Sequence, residues 1–164
     1  AAIVPYAVDG KSGTQVTVKN GSSVSDPVAL PVASAAPGIF SVDLSGAGQG
    51  AILNQDLSVN SSANPAAAGS VIVIYATGEG QTSPAGVDGK FANGPAYPAP
   101  KLPVSVTIGG VAAPALYAGA APSLVAGVMQ VNVRIPEGVP SGNNPVVVMV
   151  GSAQSQPGIT VAVQ

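Results

Sequence analysis

The sequence has no cysteine, no histidine and no tryptophan. Without cysteine there is no disulfide, no thiol nucleophile and no Cys-ligated metal. Without histidine there is no Ser–His pair and no imidazole metal ligand. Charge is nearly as scarce, at 7% of the 164 residues, against about a quarter in an average soluble domain. The five cations, Lys11, Lys19, Lys90, Lys101 and Arg134, form no cluster, so the basic footprint that nucleic acid requires is missing. The seven acids, Asp9, Asp26, Asp43, Asp56, Glu79, Asp88 and Glu137, stand apart in sequence. Two of them could pair only in space, as glycosidases require, and four Tyr with two Phe make a poor sugar cleft. No enzyme, cofactor or metal site is expected. Long apolar runs are absent too. VIVIYA at 71–76 and VVVMV at 146–150 fall far short of the ~20 residues of a spanning helix, so no membrane span is expected.

What the chain does have is apolar residues and turn formers. It is 46% hydrophobic, with 21 Gly and 16 Pro. Short apolar runs between turn residues predict strands throughout. They are expected over 2–8, 14–19 and 28–33, then over 39–44, 50–54, 70–77, 104–108, 112–117, 128–135, 145–150 and 158–163. Asn20-Gly21 and Gly109-Gly110 read as tight turns, because their residues tolerate positive φ. No segment has sustained helical periodicity, although Pro65-Ala66-Ala67-Ala68 could form one turn. Many short strands with closely spaced turns predict an all-β, immunoglobulin-like two-sheet sandwich. Residues 78–101 show no strand pattern, and loops of that length are usually functional or disordered. Glu79, Asp88, Lys90, Phe91, Tyr97 and Lys101 sit there, which makes this stretch either a solvated crossover or a contact surface.

An internal repeat organises the chain. VTVKNGSSVSDP at 16–27 meets VVVMVGSAQSQP at 146–157 with six identities in twelve at an offset of 130. A one-residue shift extends the match upstream, with Val4-Pro5 and Val8 against Ile135-Pro136 and Val139. Repeats of this kind decide architecture. The second copy follows a long β-rich stretch and the first does not. Residues 1–35 therefore read as the closing strands of an incomplete module, and residues 36–164 as a complete sandwich. Orphan strands cannot satisfy their backbone groups or hide an apolar face alone. Val4, Val8, Val16, Val18, Val28, Leu30 and Val32 are the expected assembly interface, completed by another subunit or another part of the chain.

Seven segments resemble a known family: APGIF at 36–40, GQGAILNQD at 48–56, NPAAAGS at 64–70, IYATGEGQTSPAGVDG at 74–89, VTIGG at 106–110, LYAGAAP at 116–122 and LVAGVMQVNVRIP at 124–136. The resemblance is to the uncharacterised C-terminal domains of long exported bacterial proteins, abundant in acidobacteria and similar to immunoglobulin-like IPT/TIG modules. It covers essentially all of 36–164, while IVPYAV at 3–8 and the stretch 14–33 resemble the end of a preceding module. The resemblance implies export and a sandwich fold, and brings no activity with it.

Several smaller motifs favour their plainer readings. Gly78-Glu79-Gly80 lacks the Lys and the helix of a phosphate loop and reads as a tight turn. Asp9-Gly10 and Asp88-Gly89 read as turns rather than calcium ligands. Asn20 and Asn60 head glycosylation-type tripeptides, which arise by chance in Ser- and Asn-rich chains. An internal Lys–Asn crosslink would need Lys19, Lys90 or Lys101 beside a buried acid; solvated lysines that block strand-edge pairing are the plainer reading. Together these readings predict a non-enzymatic structural protein of the cell exterior. Its partner would be itself, head to tail, through β-strand addition by the N-terminal strands. The alternative is an adhesive or spacer module at the end of a longer exported protein, with glycan binding as a subordinate version.

Overall fold

The computed structural model describes residues 2–164. The N-terminal piece begins with a 3-10 turn, Tyr6–Val8, followed by β1 (Gly13–Val16), β2 (Lys19–Asn20), β3 (Ser23–Val24) and β4 (Val28–Pro31). The rest of the chain supplies β5 (Gly38–Ile39), β6 (Gly48–Gln49), β7 (Ile52–Leu53), β8 (Val71–Thr77), β9 (Thr82–Ser83) and β10 (Ala99–Pro100). It continues with β11 (Val104–Ile108), β12 (Val111–Ala113), β13 (Ala115–Ala120), β14 (Val128–Arg134), β15 (Gly142–Val150), β16 (Ala153–Gln154) and β17 (Ile159–Val163).

Two sheets form a β-sandwich. One runs β12-β11-β15-β17-β6 with β16 on β15; the other runs β13-β14-β8-β5 with β7 on β8. Strand side chains alternate between faces, and the inward set is apolar on both sheets. Val106, Ile108, Val146, Val148, Val150, Ile159 and Val161 face Ile72, Ile74, Met129, Val131 and Val133 in one buried cluster. Burying each such side chain contributes about 1.5–3 kcal/mol, and the cluster draws on residues from Ala35 onward.

The predicted strands of that unit mostly form, and the departures have local causes. The single strand expected over 112–117 is broken at Pro114. Proline has no N–H for a ladder, and there the chain leaves β12 in one sheet and enters β13 in the other. The expected helical turn at Pro65-Ala66-Ala67-Ala68 is absent. Ala66 instead bridges Val163 in parallel, its N–H donating to the Ala162 carbonyl at 3.0 Å, because the edge of β17 beyond its pairing with β6 at Ile159–Thr160 accepts that backbone. Past Ile39 the strand expected to Leu44 gives way to a bridge at Ser41 and a turn with Leu44 at φ 63°. Gly109 and Gly110, at φ 60° and 80°, form the expected hairpin turn, which needs positive φ at both central positions.

The N-terminal piece also departs from expectation. Residues 2–8 form no strand. Pro5, at φ −63°, leads into the 3-10 turn, in which the Val8 N–H donates to the Pro5 carbonyl at 3.2 Å. The remaining strands pair only with one another, β1 with β4 and β2 with β3. The result is a ribbon whose strand residues are exposed apart from the half-buried Thr14.

Candidate assembly interface

The ribbon reproduces the central pairings of the closing hairpin of the sandwich. In the sandwich, Met149 pairs with Gln154 and Val150 with Ala153. In the ribbon, Lys19 pairs with Val24 and Asn20 with Ser23, each 130 positions earlier. The Val148 N–H donates to Ser155 Oγ at 3.1 Å, and the Ser155 N–H returns to the Val148 carbonyl at 2.8 Å. The Val18 N–H donates to Ser25 Oγ and the Ser25 N–H to the Val18 carbonyl, both at 2.9 Å. Gly21 at φ 62° matches Gly151 at φ 59°, so the turn centres are Gly21-Ser22 and Gly151-Ser152, with Asn20 as the last strand residue. The upstream turn repeats as well: Val8 N–H to Pro5 carbonyl and Val139 N–H to Pro136 carbonyl are both 3.2 Å.

The two copies differ in their cover. Val146, Val148, Ile159 and Val161 are 0–1% exposed beneath the opposite sheet. Past Pro27 the offset steps to 131, since Thr14 pairs with Leu30 as Asn144 pairs with Val161; on that alignment the counterparts Val16, Val18, Val28 and Leu30 are 45%, 67%, 58% and 47% exposed. Val4 is exposed, and Val8 and Val32 are half-buried. Of the seven expected interface residues, Val16, Val18, Val28, Leu30 and Val32 thus lie along a hairpin with no second sheet over it among the described residues, whereas Val4 and Val8 precede it, Val8 in the 3-10 turn, and line a cleft against the sandwich.

The ribbon is tied to the sandwich by Tyr6. Its O–H donates to Glu79 Oε1 at 3.2 Å, its N–H to Asp88 Oδ1 at 2.9 Å, and its carbonyl accepts from Gln81 Nε2 at 2.8 Å. A Cβ on Gly86 would lie 2.3 Å from the Tyr6 ring. Downstream, the Ala36 N–H donates to the Gly78 carbonyl at 2.9 Å. A Cβ on Gly78 would meet the Ala36 carbonyl oxygen at 1.8 Å, and one on Gly80 the Ser34 oxygen at 2.1 Å. Gly78 and Gly80, at φ 77° and 71°, are therefore required by close approach as well as by backbone conformation.

Residues 78–101 divide along this contact. Glu79 is buried and Asp88 exposed, and both hold Tyr6. Lys90 and Phe91 run beside 124–126, with the Lys90 carbonyl accepting the Ala126 N–H at 2.7 Å and Phe91 bridging Val125. The Lys101 N–H donates to the Gln81 carbonyl at 2.8 Å, where β9 and β10 pair. Tyr97 is half-buried near Gly94 and takes no part in holding Tyr6. Four residues of the stretch, Glu79, Gln81, Gly86 and Asp88, thus form a socket around Tyr6. No sequence signal singled out Tyr6, which lies 73 positions from Glu79.

Glu79 is 2% exposed, and its Oε2 has no hydrogen-bond partner among protein atoms. Burial pushes its carboxyl above the ordinary glutamate range. Burial, together with the charge of Glu79, pushes Tyr6 up to about 12. The Glu79 carboxyl and the Tyr6 phenol together tie the start of the chain to the turn after β8. Among the described residues no three metal-ligating side chains come together, and no helix is long and apolar enough to cross a membrane. A cleft of about 710 Å³ separates the first residues from the sandwich, lined by Ile3, Val4, Val8, Phe40, Glu79 and Val125 among others.

Asn60, one of the two glycosylation-type asparagines, is fully buried. Its Nδ2 donates to Asn54 Oδ1 at 2.8 Å and the Ala162 carbonyl at 2.9 Å. Its Oδ1 accepts the Ala162 N–H at 2.8 Å and Gln49 Nε2 at 3.0 Å. It pins β17 to the crossover and has no free nitrogen for a glycan. The chain matches no family model, no curated protein and no solved structure.

Proposed function

We propose that this protein is a non-enzymatic structural module of the cell exterior, joined end to end to like sandwich modules through its N-terminal ribbon. The observation that carries the reading is the ribbon itself. It is a closing hairpin with the sandwich hairpin's own hydrogen bonds, yet its apolar face is exposed. An isolated two-stranded ribbon is marginal in water at best, and neighbouring exposed valines form an interaction surface rather than ordinary surface. The sparse charge and the resemblance of 36–164 to immunoglobulin-like domains of exported bacterial proteins support the location.

The joined form has two versions. In the first, separate copies associate head to tail into a filament by strand addition, which the exposed Val16, Val18, Val28 and Leu30 favour. In the second, the module is a spacer or adhesive end piece of a longer exported chain, which the Tyr6 socket favours, because it fixes the ribbon to the sandwich as a rigid joint. Negative-stain microscopy with light scattering on the full chain and on residues 36–164 separates the two. Filaments from the full chain alone support the first version. Folded monomers from both rule it out. If the ribbon also stays unprotected in every assembly tried, the whole reading fails.

A further inference from the structure

We propose that the apolar face of the ribbon is built to receive a half-sandwich equivalent to β5–β14 of this chain, carried on the same polypeptide and running directly into Val4. The inference rests on the end-to-end reading above and names the occupant of its joint.

The repeat identifies that occupant. In the second copy the counterparts of Val16, Val18, Val28 and Leu30 are covered by Ile72 and Ile74 of β8 and Met129, Val131 and Val133 of β14. A surface with the same backbone bonds, the same turn and the same alternation of branched apolar side chains fits a sheet of the same kind. A second copy of this chain offers no such sheet, because the inner face of its β8 and β14 is already closed by its own β15 and β17. It could take the ribbon only by expelling its own hairpin.

Chain direction favours the same polypeptide. Ile135, the counterpart of Val4, directly follows β14. A strand leading into Val4 would thus arrive in the position of β14, already paired in register with the sheet it serves. Joining within one chain also replaces a bimolecular encounter by an effective concentration in the millimolar range. The cleft between Val4, Val8, Phe40 and Val125 then becomes the seam between two sandwiches, closed on one side by the Tyr6 socket.

The test is a tandem chain in which residues 36–134 are fused directly ahead of residues 4–164, compared with the unmodified full chain by amide hydrogen exchange. A control carries residues 36–164 fused ahead of residues 33–164, so that both of its sandwiches close with the native hairpin. The expected result is that the Val18 and Ser25 amides exchange rapidly in the full chain and at least about 100-fold more slowly in the tandem chain, approaching Val148 and Ser155. If the control folds as two protected sandwiches while the tandem ribbon stays unprotected, the proposed occupant is wrong although the end-to-end reading stands. Protection of the same amides in self-assembled full chain would identify a second copy as the occupant and overturn the inference. An unprotected ribbon in the tandem chain and in every assembly of the full chain would overturn the reading beneath it as well.

Discussion

Ser155 and Ser25 make the same pair of hydrogen bonds in different surroundings, so one substitution made at both sites isolates the effect of cover. Ser155 is 7% exposed, and the Val148 N–H it accepts belongs to a fully buried residue in the middle of β15. Ser155→Ala leaves that N–H without a partner away from water. An orphaned buried donor costs about 1–3 kcal/mol, and the middle of that range corresponds to a fall in Tm of about 4–8 °C for a chain of this size. Ser25→Ala removes the corresponding bond, 2.9 Å against 3.1 Å, from an exposed ribbon, where water replaces the serine oxygen. Its expected cost is below about 0.5 kcal/mol. Urea unfolding followed by far-UV circular dichroism reads both variants, with an unchanged m-value confirming that only stability has moved. Equal losses at the two sites would refute the reasoning, because the ribbon would then share the cooperative core. No loss at Ser155 would refute it too.

The socket, the amide network and the glycan acceptors give further predictions. Gly78→Ala puts a methyl group on a positive-φ residue 1.8 Å from the Ala36 oxygen; thermal unfolding should show a loss of roughly 3 kcal/mol or more, since strain and clash add. Glu79 holds its proton to higher pH when folded than when unfolded. Its contribution is therefore full below the ordinary glutamate range and declines as pH rises through the raised folded value. Urea midpoints from pH 4 to 8 should show that decline in the native chain and a flatter profile in Glu79→Gln. Asn60→Ala removes four hydrogen bonds around β17 and should cost about 3 kcal/mol or more by chemical denaturation. In a glycosylating host, peptide mass spectrometry should find no glycan on the buried Asn60, whereas the exposed Asn20 remains an available acceptor.

The fold was largely legible because its strands carry their own period. β8, β11, β14 and β17 bury their apolar sets where the runs at 70–77, 104–108, 128–135 and 158–163 place them, and Gly109-Gly110 turns where two adjacent glycines predict a hairpin. The repeat was legible as well, and the paired Val18–Ser25 and Val148–Ser155 bonds give it a structural meaning that letter matching does not carry. The short polar turns were harder to read. Asp43-Leu44-Ser45 and Asp56-Leu57-Ser58 fold alike: each aspartate Oδ1 accepts both the N–H and the Oγ–H of the serine two positions on. The leucine between them is held at φ 63° and 67°. A leucine in left-handed backbone runs against propensity, so hydrophobic patterning carried the strand expected over 39–44 as far as Leu44. Tyr6 and its socket were unreadable for another reason. Their chemistry depends on Glu79, Gln81, Gly86 and Asp88 meeting a residue more than 70 positions away, and no local period encodes that meeting.

Native-state hydrogen exchange on the dilute, monomeric full chain tests the central claim most directly, because one spectrum contains both copies of the hairpin. The account predicts that Val148 and Ser155 exchange only through global unfolding. Val18 and Ser25, with hydrogen bonds of matching length, should exchange orders of magnitude faster through local opening. Equal protection of the two pairs in the monomer would contradict it, for the ribbon would then be a finished part of this sandwich and not a hairpin awaiting its sheet.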